Sequence, residues 1–166
     1  MTNQQIDQEF TQLVRENSRI DKRMIELIVL VMERRAYLEY KFGSIFDWLT
    51  RGKGLSAASA QRRINAARVL ITVPEAKNTS LSFTTLSKLQ TAIRQQEKAG
   101  PVTREKKEEA IEILKTKTYA QTEKALFEIF PETRSKIHQE RKIQLDENNT
   151  RHMFNLPAAA EANLKR

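Results

Sequence analysis

The stretch "LTRGKGLSAASAQRRINAARVL", from Leu49 to Leu70, contains five Lys or Arg residues (Arg51, Lys53, Arg62, Arg63 and Arg68) and no Asp or Glu. Arg grips phosphate or a guanine edge with two parallel hydrogen bonds, Asn pairs with adenine, and Ser bonds to either backbone or base. Solvated helix faces usually mix both signs, because Glu and Lys three or four positions apart support each other. A stretch that forgoes this support avoids repelling a polyanion. Ser56 can cap a helix whose first turn, unlike the "SIFD" that begins at Ser44, carries no carboxylate, so the positive helix end stays open to an anion. The candidate contact set for double-stranded DNA is therefore Arg51, Lys53, Ser56, Ser59, Arg62, Arg63, Asn65 and Arg68.

The charge of the whole chain points the same way. The net charge is +8 over 166 residues, and residues 51–99 hold nine basic and two acidic side chains, which accounts for +7 of it. A local excess of this kind identifies a surface, whereas a global one does not.

The elements that must position these residues are helical. Residues 1–42 contain neither Gly nor Pro and read as one or two helices, with Met24, Ile25, Ile28, Val31, Met32 and Leu38 on a wide apolar face. Ser44 caps a short helix to Arg51, Gly52, Lys53 and Gly54 break the chain, and Ser56 caps a second helix to about Val73, before Pro74. On that second helix the period of 3.6 places Ala60, Ile64, Ala67 and Ile71 inward, and Ser59, Arg62, Arg63, Asn65 and Arg68 outward. Three further helices follow, from Ser82 to near Gly100, from Thr103 to near Lys117, and from Thr118 to before Pro131. No run alternates at period two. The expected fold is all-α: one multi-helix domain over residues 1–130, with a helix-turn-helix-like pair at 44–73 and a polar tail at 131–166 that has room for a short helix from Pro157. Trp48 and the Phe residues read as core, and "KKEEAIEILK" as a solvated face with local ion pairs.

Other chemistries find little support. Cys is absent, which removes disulfides and Cys-based metal sites. The only two His residues, His138 and His152, lie in the polar tail without a paired-ligand spacing. No Gly-rich phosphate loop is present, and no acidic pair stands out as an acid–base couple. No catalytic residue, metal or cofactor is expected, and neither is a membrane span or a signal peptide. The chain reads as cytoplasmic and nucleoid-associated.

The ordered landmarks "ERRAYLEYKFGSIFDWLTRGKGLSAASAQRRINAARVL", "VPEAKN", "LSFTTLSKLQTAIRQQEKAG" and "KTYAQTEKALFEIFPE" together resemble the helical N-terminal region of bacterial HNH endonuclease-type proteins, over about residues 20–132. The resemblance implies a DNA-associated helical region. It carries no catalysis across, because "NNTRH" (Asn148 to His152) lacks the paired His and the second half of an HNH motif. It fits a fragment of a longer nuclease and a stand-alone protein equally. An ordinary helical hairpin also has a Gly turn, and the alternative function is a protein-interaction or oligomerisation module of a longer nuclease-type protein. The apolar N-terminal face suggests a homodimer through residues 1–42 that presents two copies of the Ser56 helix to one duplex.

Overall fold

The computed structural model describes residues 1–133, 141–144 and 150–153. Helix α1 runs unbroken from Asn3 to Arg34, about 48 Å at 1.5 Å per residue. Its start is fixed by a capping box: the Thr2 hydroxyl accepts the Gln5 N–H, and the Gln5 side chain accepts the Thr2 N–H at 2.7 Å. It stops at Arg35, which takes a left-handed conformation (φ 53°) and donates its N–H back to the Met32 carbonyl. Only the last part of α1 joins the core, through Ile25 and Ile28, while residues 1–20 are all exposed.

A short 3-10 turn (Ala36–Leu38) leads to Ser44, whose hydroxyl accepts the Asp47 N–H and caps α2, Ile45–Asp47. The helix then widens into a π turn over Trp48–Gly52. Such turns are short and strained, and this one delivers the chain into the glycine break. Gly52 is required because a Cβ there would lie 2.8 Å from the Phe42 ring. Gly54 is required for a different reason, its φ of +72°.

Helix α3, Ala57–Thr72, is capped by Ser56 and forms the centre of the molecule. It is packed by α1, by α2 and by α4, Phe83–Gln96. Pro74 opens a 3-10 turn to Asn78 that joins α3 to α4. Helices α5, Arg104–Lys115, and α6, Tyr119–Ile129, complete the bundle and are capped by Thr103 and Thr118. Leu86, Leu89, Ile93, Leu114, Leu126 and Phe130 fill the space between them. The all-helical character of residues 1–133 is as the sequence implies, and Ser44, Ser56, Ser82, Thr103 and Thr118 are caps as expected, although the helix that Ser44 starts turns into the π turn at Trp48.

Residues 1–42 form one long helix and a turn, one of the arrangements the residue pattern allows. Two features differ from that pattern. Phe10, expected in the core, is 68% exposed. Strands β1, Arg141–Gln144, and β2, Thr150–Met153, pair antiparallel with Lys142 opposite His152; "RKIQ" and "TRHM" hold no alternation of apolar and polar residues that would have announced a strand. The short helix expected from Pro157 lies outside the described residues.

The glycine requirement is specific to the turn before α3. Gly52→Ala and Gly54→Ala should each lower the free energy of unfolding by about 1 kcal/mol. Gly43→Ala should not lower it, because a Cβ there meets nothing within 4 Å and the φ is not positive. Urea titration of the three variants checks this.

Candidate nucleic-acid interface

Because α3 is covered by α1, α2 and α4, only one arc of it reaches water. Ala57, Ala58, Gln61, Arg62, Arg68, Ile71 and Thr72 are exposed along it, and Ala60, Ile64, Ala66, Ala67 and Val69 are buried. The exposed N-terminal turn of α3 follows the exposed Arg51, Gly52, Lys53 and Gly54 along the chain. Ser56 spends its hydroxyl oxygen on the Ser59 N–H at 3.3 Å, and the first turn of α3 holds no acid.

The expected contact residues divide into two groups. Arg51, Lys53, Ser56, Arg62 and Arg68 are exposed. The Lys53 ammonium lies 5.1 Å from the centre of the Trp48 ring and 5.8 Å from that of Tyr40, held by attraction to the ring faces. Trp48 packs against the core as expected and, with Tyr40, also forms this platform. No local pattern announces the platform, since Tyr40 and Lys53 are thirteen residues apart.

Arg63, Ser59 and Asn65 are the corrections. Arg63 turns inward: its Nη2 meets the Asp21 carboxylate of α1 at 2.5 Å, its Nη1 donates to the Ser59 hydroxyl, and its guanidinium lies 4.8 Å from the centre of the Phe83 ring of α4. Both charged side chains are about 15% exposed (14% and 15%). Ser59 is half-buried beside it. Asn65 is 7% exposed, and its Oδ1 accepts the Gln61 Nε2 at 2.9 Å. Ile71, expected inside, is exposed, and Val69 takes its place in the core. The cause is common to all four: a helix packed on three sides does not have a single inward face, so a wheel drawn for one face assigns its margins wrongly. Gln61 was missed by the sequence reading. It lies on the exposed arc one turn before Asn65, a spacing at which Gln and Asn side chains meet.

Elsewhere several cations are paired. Arg104 pairs with Glu75 and Glu108, Lys107 with Glu97, Lys88 with Glu123, and Lys115 with Glu112. The Lys88 pKa is raised: burial opposes its charge, but hydrogen bonds and charge from Glu123 and Tyr119 outweigh that. Among the described residues no ion pair engages Arg51, Lys53, Arg62 or Arg68. A groove of about 510 Å³ lies between α1 and the segment entering α4, lined by Val14, Asn17, Asp21, Leu81 and Phe83 among others. Among the described residues no three His, Cys, Asp or Glu side chains gather as metal ligands, and no helix is long and apolar enough to cross a membrane. His138 lies outside the described residues, and His152 is on β2. Comparison with known protein families, with curated proteins and with solved structures finds no match.

The division between inward and outward arginines can be measured. Arg63→Ala leaves Asp21 without its partner in a largely covered site and should cost about 2 kcal/mol of stability. Arg62→Ala, one residue earlier and exposed, should change it by no more than about 0.5 kcal/mol. Denaturant unfolding of the two variants gives both numbers.

Proposed function

We propose that this chain is a non-enzymatic module that binds double-stranded DNA through the glycine break and the exposed arc of α3. One observation carries the reading: Arg51, Lys53, Arg62 and Arg68 are exposed and, among the described residues, without ion-pair partners, and the stretch from Leu49 to Leu70 that holds them contains no Asp or Glu. Phosphate contacts by these four would position the module, and they release counterions as they form. The α3 N-terminus adds backbone N–H groups and a partial positive charge. Gln61, exposed on this arc, is the side chain we assign to a base edge. A dimer would present two such arcs to one duplex, with half-sites about 34 Å apart or a multiple of that. A module of this kind belongs on the nucleoid, in the cytoplasm, and agrees with the resemblance to the helical region of HNH endonuclease-type proteins.

The second reading, a protein-interaction or oligomerisation module, is favoured by a different observation, the exposed apolar residues of α1. The two readings use separate surfaces and are compatible.

Binding to a labelled duplex should weaken steeply with salt, with a slope of log K against log [salt] near −3 to −4 for about four neutralised phosphates. The Arg62→Ala, Arg68→Ala double variant should lose about two units of that slope and bind roughly 10- to 100-fold more weakly at 0.1 M salt, with its unfolding curve unchanged. Fluorescence anisotropy across a salt series provides the measurement. An unchanged affinity contradicts the assignment.

A further inference from the structure

Helix α1 uses one side, at Asp21, Ile25 and Ile28, to join the domain. Its apolar residues continue round to an adjoining side that the described residues leave open over residues 1–20 and cover only in part beyond them. Ile6, Leu13, Ile20 and Leu27 recur there every seven residues, and Phe10, Asn17, Met24 and Val31 recur four positions later. Alternating steps of four and three over Ile6–Val31, close to four heptads without a glycine or proline, form the seam of a two-stranded coiled coil. Written as heptads, Phe10, Asn17, Met24 and Val31 are the a positions and the Ile and Leu residues the d positions.

We propose that α1 pairs with α1 of a second copy of this chain, parallel and in register, as a two-stranded coiled coil along Ile6–Val31. Two observations identify the occupant. Ile6, Phe10, Leu13, Ile20 and Leu27 are 50%, 68%, 55%, 58% and 45% exposed, an apolar strip that a helix of the same spacing covers from end to end. The second is the single polar residue of the seam, Asn17. In a parallel, in-register pair, a faces a, and the Asn17 amide meets the same amide of its twin, each donating and accepting. In an antiparallel pair a faces d, and Asn17 would lie unpaired among Leu13 and Ile20. Asn17 now reaches only the Asp21 carboxylate, at 3.4 Å, and can turn to its twin. Asp21 would flank Glu16 of the second copy, and the like charge is tempered because Arg63 already holds it.

Where α1 joins the core the seam stays partly open: Leu27 is 45% exposed, and Met24 and Val31 are half-buried. The exposed first 20 residues gain the tertiary packing on which helices in water chiefly depend. Parallel pairing also brings both domains to the same end of the coil. The pairing itself stands on α1 alone and does not require DNA binding.

The absence of Cys makes the test direct. In the full chain, Ile6→Cys and Ile20→Cys should each form disulfide-linked dimers under mild oxidation, and Gln12→Cys, on the outer side of the coil, should not. An antiparallel pair can bring only one of the two positions to its twin, so crosslinking at just one overturns the parallel arrangement. In sedimentation at tens of micromolar the unaltered chain should have twice its 19.3 kDa mass. The Leu13→Glu, Ile20→Glu double variant should run as a monomer with unchanged thermal unfolding of the domain, since both residues are exposed. A monomeric unaltered chain overturns the pairing and leaves salt-dependent DNA binding standing.

Discussion

The structure depends on α3 being enclosed. Ala60, Ala66 and Ala67 have no exposed surface, and only side chains this small let neighbouring helices approach one helix from several sides at once. With α1, α2 and α4 drawn in around it, α3 keeps one arc in water. That arc begins at the glycine break, where Gly52 lets Phe42 lie against the backbone and Gly54 turns the chain. Packing therefore decides which side chains of the acid-free stretch are available to a partner. The alanines do not touch a ligand in any reading, yet they determine the surface that could.

The same enclosure sorts the arginines. Arg63 lies between α1 and α4, where an unpaired charge would be costly, and Asp21 and the Phe83 ring make its position tolerable. It ties the long N-terminal helix to the centre of the bundle. Arg62, one step round the helix, has no such surroundings and stays in water. Two adjacent residues of one type thus do different work, the first structural and the second open to phosphate. Lys88, Arg104, Lys107 and Lys115 have Glu partners, whereas the stretch from Leu49 to Leu70 contains no acid of its own, which raises the positive field along it.

Much of this was legible in the residues. Ser44, Ser56, Ser82, Thr103 and Thr118 each precede an apolar period, and each accepts an N–H of the helix it starts, because capping is a local interaction between near neighbours. The glycine break and the charge segregation were equally plain. The inward turn of Arg63 was not, since its partner lies 42 residues away and no local pattern records it. Burial of Asn65 and exposure of Ile71 follow from how three helices surround α3, which periodicity on one helix cannot express. Phe10 stayed outside for the opposite reason: hydrophobicity shows that a residue seeks a partner but not whether the same chain provides one. The β1–β2 hairpin lacks alternation and had no signal to read.

On the proposed function, the exposed arc of α3 and the glycine break, rather than the most basic-looking dipeptide, form the DNA surface. Nuclear magnetic resonance of the isotope-labelled protein titrated with a short duplex at low salt tests it most directly. The backbone amides of residues 51–58 and the side chains of Gln61, Arg62 and Arg68 should shift, while the Arg63 guanidinium signal, held by Asp21, stays in place. Shifts centred on α5 and α6, or a moving Arg63 with Arg62 and Arg68 silent, would contradict it.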